Sequence, residues 1–395
     1  MISTLALKSC NQNLYNQKFL IRKEFKFKKL PVIVRMLIIQ LMDPAERFVL
    51  SFTSKRMEIE LMLARRQSYE PVLNFYDGYS LIELEEDNGL NIRCCGEELK
   101  IDEMRLYSKH GTIVENTAEA FHRLQNTTKC RKIHFVLHVA RIELSFLVEL
   151  FSNFELESWS KLSLVGREIE AESVNFVLNT PTFDKHFWFL NANMPVDFRH
   201  VNAFKFRSND YEDARWVRME DLLEMKNVEN VSLNKTIFTS SDIQNYITHW
   251  INSENDLFEY MHIGTDRDIE LGGVLDDLVV LEHLNEPGSI FFVLAKCPSR
   301  AYPLLAISCA FNLVVLSAWR QEEVFNSRYG EGFQMYENTY KKLEVLEKKN
   351  TLERKMELEE TDSAERKKMS KELEVLNEKI SRLGVYFHNG RAVTN

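Results

Sequence analysis

A dense apolar segment near the N-terminus constrains the fold of this chain more than any other feature. It runs from Leu30 to Arg56 and reads LPVIVRMLIIQLMDPAERFVLSFTSKR. Pro31 suits the first turn of a helix, where its missing N–H costs nothing, and the apolar run that follows it is long enough to be helical. Because this helix is apolar nearly all round, we expect it to be buried on more than one side.

Two further short helices are predicted directly after the first. Asp43, Pro44 and Glu46 form a helix start, with a capping box and a proline at the first helical position. Thr53 or Ser54 could cap a third helix, KRMEIELMLARR. About 40 residues cannot bury this much apolar surface, because domains of that size are marginal even with ideal cores. Exposed apolar surface of this kind usually marks a protein partner, so we interpret the segment as a docking module.

The same residues also resemble a known family. Over 27–64 the order and spacing of four groups are similar to those of an F-box: Leu30-Pro31, Met42-Asp43-Pro44, Leu50-Ser51 and Ser54-Lys55-Arg56. Arg47 and Phe48 depart from it, since many family members have small aliphatic residues there. In that family the box binds the Skp-type adaptor of a cullin-RING ubiquitin ligase. The resemblance implies these adaptor-binding residues: Leu30, Pro31, Val34, Leu37, Ile38, Leu50, Ser54 and Lys55.

A second resemblance lies further along the chain. Residues 239–263, TSSDIQNYITHWINSENDLFEYMHI, are similar to part of the nematode-type F-box-associated domain, in which a helix that ends in a tryptophan precedes a strand. We extend this resemblance over about 90–265. A capping box of Thr239 and Asp242 predicts the helix start. The helix carries one continuous apolar stripe, which predicts a core-facing side: Ile243, Tyr246, Ile247, Trp250 and Ile251.

Strand-then-helix patterns recur through the middle of the chain. RKIHFVLHV precedes IELSFLVELF, SKLSLVG precedes EAESVNFVLN, and ENVSLNK precedes the helix at 240–251. NIRCC-GEE-LKIDEM alternates apolar and polar residues around Gly96, which predicts a hairpin. The fold class is therefore predicted to be α+β: a three-helix F-box, then a mixed domain of irregular β-α units, then a pair of charged helices.

The domain boundaries follow from changes in composition along the chain. We predict a flexible tail at 1–24, the F-box at 25–66, the F-box-associated substrate-binding domain at 67–270, an apolar extension with no assigned role at 271–335, a helical hairpin or short coiled coil at 336–383, and a tail at 384–395.

Two of these segments leave alternatives open. The apolar residues 290–319 are interpreted as containing a buried helix, and the alternative is a membrane span, which needs about 20 largely apolar residues. Lys341–Leu383 contains twelve Lys and Arg and eleven Asp and Glu. It is predicted to form two helices, 336–360 and 363–383, the second capped by Asp362 and Glu365. A seam of heptad spacing lies on the second helix, which could fold back on the first or pair with another chain: Met369, Leu373, Leu376, Ile380 and Leu383.

The chain offers little that predicts catalysis. It lacks a GxxxxGK[ST] phosphate loop, a GxGxxG turn and a GxSxG elbow. His134 and His138 lie on a predicted strand, where their spacing does not form the two-histidine zinc face of a helix. The six cysteines contain no CxxC pair, and the net charge of -9 argues against general nucleic-acid binding. We therefore predict no catalytic residue, no cofactor, no metal site and no enzymatic activity.

These observations lead to one functional hypothesis and two alternatives. The hypothesis is a substrate-recognition subunit of a Skp-cullin-F-box ubiquitin ligase, cytoplasmic and/or nuclear because the N-terminus lacks a signal-peptide pattern, with an unknown protein substrate. The first alternative is a coiled-coil scaffold that self-associates through 336–383. The second is a membrane-anchored protein that uses 290–319.

Overall fold

The computed structural model describes residues 26–64, 68–84, 90–95, 98–101, 104–108, 111–130, 132–154, 159–180, 184–192, 194–269, 273, 275–276, 278–283, 289–321, 325–327, 334–336, 338–358 and 363–394. The fold is α+β, as predicted. The chain divides into two compact units, Met1–Gly166 and Arg167–Asn395. The first part of the proposed 67–270 domain lies in the same unit as the N-terminal helices, and the boundary at 66/67 stays a prediction.

The first unit combines a helical N-terminus with a mixed sheet. A 3₁₀ turn at Phe27–Lys29 precedes the helices, which are α1 Val32–Leu41, α2 Pro44–Ser51, α3 Lys55–Ala64, α4 Ile113–Thr127 and α5 Leu144–Asn153. The strands are β1 Ser68–Tyr69, β2 Pro71–Tyr76, β3 Tyr79–Leu84, β4 Asn91–Cys95, β5 Glu98–Ile101, β6 Met104–Ser108, β7 Lys129–Cys130, β8 Ile133–His138, β9 Arg141–Ile142 and β10 Trp159–Val165.

The sheet of the first unit has an antiparallel part and a parallel part. Strands β2 to β6 pair antiparallel with their neighbours in chain order, while β8 pairs parallel with β2 on one side and β10 on the other. The predicted hairpin is confirmed by the pairing of β4 with β5. Phe135 of β8 packs against Phe151 of α5 and against Phe154, so the aromatic core lies between this sheet and α5.

The second unit has a longer sheet. Its helices are α6 Ala171–Leu178, α7 Met219–Leu223, α8 Ser240–Asn252, α9 Thr339–Leu358 and α10 Ser363–Arg382. Its strands are β11 Glu168–Ile169, β12 His186–Leu190, β13 Ser208–Tyr211, β14 Val228–Thr236, β15 Phe258–Thr265, β16 Leu281–His283, β17 Ile290–Leu294, β18 Leu304–Ala310, β19 Leu313–Trp319, β20 Phe325–Ser327, β21 Gln334–Tyr336, β22 Val385–His388 and β23 Arg391–Thr394.

Strands β12, β13, β14 and β15 pair parallel in chain order. Helix α8 connects β14 to β15, and the whole predicted stripe from Ile243 to Ile251 is buried. Thr239 and Asp242 form the predicted capping box, in which each side chain accepts a hydrogen bond from the other residue's backbone N–H. The predicted strand followed by a helix is therefore confirmed in this region. It could be predicted because the apolar residues of the helix repeat with a clear 3.6-residue period.

The prediction for 290–319 was wrong. These residues form β17, β18 and β19, an antiparallel meander that joins the parallel strands where β19 pairs with β15. All side chains of Ile290–Leu294 are buried, so the segment resembles a buried helix in its composition. None of the helices among the described residues is long and apolar enough to cross a membrane.

The two charged helices pack against each other and against strands of the same chain. Helices α9 and α10 pack against each other, and Leu343 and Ile380 lie in one buried cluster with residues of β16, β17 and β18. Leu376 and Leu383 pack against that cluster, so part of the heptad seam faces inward. Asp362, half of the predicted cap, lies outside the described residues, as does the predicted tail at 1–24.

The prediction of a tail at 384–395 was wrong as well. Strands β22 and β23 form a hairpin whose turn, Asn389-Gly390, has positive φ at both positions (48° and 81°). Strand β23 then pairs parallel with β16, and Val385 and Ala392 are buried in the cluster that α9 and α10 cover.

Candidate functional site

Helix α1 carries a continuous apolar face that is exposed in this chain. Its members repeat every three or four residues and therefore lie on one side of the helix. Their exposed fractions are large for aliphatic side chains: Ile33 75%, Val34 39%, Leu37 55% and Leu41 87%. Val32, in the first turn, is 58% exposed as well. We call Ile33, Val34, Leu37 and Leu41 the α1 face. Val32 does not belong to it, because its spacing places it on the side of Met36 and Ile39, which packs on α3. The expectation that α1 is buried on more than one side is therefore wrong.

The opposite side of α1 is fixed to α3 by a buried ion pair. Arg35 donates from Nε and Nη2 to the two carboxylate oxygens of Glu60, both at 2.8 Å. The Arg35 Nη1 also donates to the carbonyl of Leu30 at 2.6 Å, which holds the residues that lead into α1. The hydrogen bond from Arg35 lowers the pKa of Glu60, because it stabilises the charged carboxylate. This bidentate geometry sets the rotation of α1 and directs the α1 face away from α3.

The two residues that depart from the family pattern hold the second helix. Arg47 is buried and donates to the carbonyls of Ile39 and Gln40, so it binds two carbonyls in the last turn of α1. Phe48 is fully buried and meets Phe52 edge-to-face at 5.2 Å. Neither residue belongs to the exposed surface, so their departure changes the interior of the module.

Caps and a small core complete the three-helix module. Asp43 accepts from the Glu46 N–H at 2.7 Å and its own N–H donates to the Glu46 carboxylate, as predicted from the sequence. Ser54 caps α3, because its Oγ accepts from the Met57 N–H at 3.2 Å. The buried core is small and its members lie on α1 and α3: Ile39, Met57, Leu61 and Ala64.

Helix α4 attaches this module to the rest of the first unit. Arg123 places its guanidinium 4.4 Å from the ring centroid of Phe52, and Asn126 donates to Glu58 at 2.9 Å. Because α2 and α3 are held on one side in this way, the module presents the α1 face on a fixed frame.

The predicted adaptor-binding residues fall into two groups. Pro31, Val34, Leu37 and Lys55 are exposed and available to a partner. Leu30, Ile38, Leu50 and Ser54 are half-buried; among them Leu50 packs on the module's own core and Ser54 caps α3. Which of the eight bind an adaptor stays a prediction.

Sequence reasoning missed several exposed apolar residues. On α1 these are Val32, Ile33 and Leu41, and on α3 they are Ile59, Met62 and Leu63, which are 52%, 43% and 67% exposed. The spacing of Ile33, Leu37 and Leu41 at i, i+4 and i+8 could have identified the α1 face, because these positions share one side of any helix.

Exposed positive charge precedes α1 and also lies at the start of α3. Lys26, Lys28 and Lys29 are exposed in and before the 3₁₀ turn, and Lys55 and Arg56 are exposed at the start of α3. An apolar face with basic neighbours favours a partner surface that is apolar at its centre and acidic around it.

The histidines and the cysteine considered for metal binding or catalysis make ordinary packing and hydrogen-bond contacts. His134 lies on β8 with its Nε2 3.0 Å from the Oγ of Ser163, and the His138 ring stacks on Tyr76, where burial lowers the pKa of His138. Cys94 faces the core, and burial raises the pKa of its thiol to about 12. Among the residues that the structure describes, no three His, Cys, Asp or Glu side chains gather as they would around a metal ion.

Comparison with known proteins gives one family match, in the second unit. No curated protein and no solved structure matches the chain. The match spans β13, α7, β14 and α8 and most of β15, and the three-helix module lies outside it. It supports the predicted associated domain over this range: residues 197–263 are similar to the protein family described as F-box associated.

Proposed function

We propose that this protein is a substrate-recognition subunit of a Skp-cullin-F-box ubiquitin ligase, acting in the cytoplasm and/or the nucleus. The three-helix module docks on a Skp-type adaptor through the α1 face, and the F-box-associated region captures the protein to be ubiquitylated. One observation carries the proposal: a family-matched F-box-associated region shares its chain with an N-terminal helix whose aliphatic face is exposed.

The physical basis of docking is burial of the α1 face. Each aliphatic side chain that becomes fully buried contributes about 1.5–3 kcal/mol. Association costs about 4–15 kcal/mol, so a face of four such residues suffices only if most of it is covered. The exposed lysines around the start of α1 would then favour the approach of an acidic adaptor.

The receptor needs no chemistry of its own in this scheme. When the module and the associated region are both occupied, the target protein is held near the conjugating enzyme that the ligase recruits. The resulting gain is one of effective concentration, which can reach the millimolar range for a tethered partner.

Reconstitution with an adaptor–cullin complex tests the proposal. The full chain is expected to join a preformed complex of a Skp-type adaptor and a cullin on size exclusion, while Leu37→Asp is expected to elute alone, because it buries an unpaired carboxylate at the interface. Val375→Asp, a matched change at an exposed position of α10, should join the complex as the unmodified chain does. Retained assembly of Leu37→Asp would refute docking through the α1 face.

A further inference from the structure

The turn between β18 and β19 has an unusual residue at its tip. Ala310 pairs with Leu313, so the loop consists of Phe311 and Asn312 alone. Phe311 has φ of +55°, a region that a bulky side chain rarely adopts and that glycine or asparagine would occupy at lower cost. Its side chain is also 87% exposed. A large apolar residue therefore stands in solvent at a backbone position that disfavours it.

The strained turn is clamped to the neighbouring strand. The Thr265 N–H donates to the carbonyl of Asn312 at 2.8 Å, and the Asn312 Nδ2 donates back to the carbonyl of Thr265 at 2.9 Å. The Thr265 hydroxyl donates a third hydrogen bond, to the Asn312 carbonyl at 3.1 Å. These bonds fix Asn312 after the tip, and the pairing of Ala310 with Leu313 fixes the strands that flank it. Phe311 is therefore presented on a preorganised loop, which lowers the entropic cost of binding through its ring.

A second exposed aliphatic residue lies at the same edge of the sheet. Ile237 follows the end of β14 and is 59% exposed. Thr236 pairs with Thr265, and Gly264 of β15 pairs with Leu313 of β19, so the ends of β14 and β15 lie beside the start of β19. With strands about 4.8 Å apart, the backbones at Ile237 and Phe311 are on the order of 10 Å apart. A single partner surface can therefore reach both side chains.

Charges of both signs surround this pair. Lys235 lies 3.8 Å from Glu212, Arg215 pairs with Asp213, and the exposed segment 266–268 contributes two aspartates and an arginine. Nucleic acid or an anionic membrane would need a clearly basic surface, which this is not. Two apolar anchors inside a polar rim of mixed charge are typical of a protein-protein interface. The edge is also formed by the carboxyl ends of parallel strands, where binding loops of α/β sheets concentrate.

We propose that this edge binds a protein, with Phe311 and Ile237 as its two apolar anchors and an apolar pocket on the partner that receives the Phe311 ring. The identification of that partner as the ligase target rests on the proposed function. The binding itself does not, because both anchors and the charged rim belong to the second unit and the α1 face belongs to the first.

Site-specific photo-crosslinking in the full chain tests this proposal. A benzophenone amino acid replaces Phe311 in one variant and Val375, an exposed apolar position on α10, in the other. The protein that cross-links at position 311 and not at 375 is identified, purified and titrated against the unmodified chain, Phe311→Asn and Val375→Gln. Asparagine tolerates positive φ, so Phe311→Asn removes the ring without adding strain.

The expected results separate binding from folding. Phe311→Asn should weaken the Kd about 30-fold or more, as for a hot-spot aromatic residue. The same variant should raise the Tm by about 2–4 °C, because strain is relieved. Val375→Gln should leave the Kd unchanged. An unchanged Kd for Phe311→Asn, or identical cross-linking at 311 and 375, would overturn the proposal.

Leu37→Asp distinguishes this inference from the proposed function. A chain with Leu37→Asp should still bind the cross-linked protein. If it also still binds adaptor, the assignment of the α1 face fails while the Phe311 interface stands.

Discussion

Truncation of the α1 face to alanine, one residue at a time, should weaken adaptor binding in proportion to the area that each side chain exposes. A fully buried leucine side chain contributes about 1.5–3 kcal/mol. Leu41 is 87% exposed, so covering it would contribute about 1.3–2.6 kcal/mol. Leu37 is 55% exposed, which gives about 0.8–1.7 kcal/mol. The corresponding losses of affinity are about 10–80-fold for Leu41→Ala and about 4–17-fold for Leu37→Ala.

The assay is a calorimetric titration of each full-length variant with a Skp-type adaptor, together with its thermal unfolding. The alanine variants of the α1 face should unfold near the unmodified chain, because these side chains are already exposed. Ile39→Val is the matched control: Ile39 is 1% exposed, so the change should cost about 0.5–1.5 kcal/mol of stability and leave the Kd unchanged. If both Leu37→Ala and Leu41→Ala bound the adaptor with the Kd of the unmodified chain, the assignment of this face would be refuted.

Three further predictions concern stability. Arg35 holds the pKa of Glu60 below its ordinary value of about 4.5, so the pair contributes to the free energy of unfolding above that pH and loses this contribution as the pH falls through the folded-state pKa. Glu60→Gln should therefore lower the free energy of unfolding at pH 7, measured by urea titration. It should also make that free energy decrease less as the pH falls below about 4.5, and an unaltered pH profile would contradict this. Asp256→Asn should cost about 3–5 kcal/mol in equilibrium urea unfolding, because it leaves a fully buried guanidinium, that of Arg300, without its carboxylate; a loss below 1 kcal/mol would argue against the pair. Deletion of 384–395 should lower the Tm because it uncovers the cluster beneath α9 and α10, whereas a tail would leave the Tm unchanged.

The sequence predicted the helices best where two independent signals agreed. In α2 the capping box and Pro44 fix the start, and in α8 the Thr239 cap coincides with a stripe at 3.6-residue spacing. Local hydrogen bonds and side-chain periodicity are both encoded within a few residues, so these elements can be derived without knowing what packs on them.

The errors arose where burial hides periodicity. Ile290–Leu294 is buried along its whole length, and such a run does not distinguish a strand from a helix. Leu313–Trp319 alternates buried and half-buried residues, a strand signal that the apolar composition of the segment masked. The C-terminal hairpin carries Asn389-Gly390, a strong signal for a two-residue turn, between two short strands that were interpreted as a tail.

The candidate site could be predicted only in part. The apolar content of α1 is visible in the sequence, but which side is covered depends on Arg35 reaching Glu60, 25 residues away. Leu30, Leu50 and Ser54 were assigned to the surface by resemblance, and the structure places them half-buried, two of them in contacts within the module. Phe311 gave no signal in the sequence, because its strain and exposure depend on the clamp between Asn312 and Thr265.

Amide hydrogen exchange on the full chain, with and without a saturating Skp-type adaptor, tests the central claim most directly. Docking through the α1 face should slow exchange in peptides that cover 32–41 and leave those that cover 239–263 unchanged. Unchanged exchange in 32–41 in a chain that binds the adaptor would contradict the claim, and so would protection that appears only in the second unit.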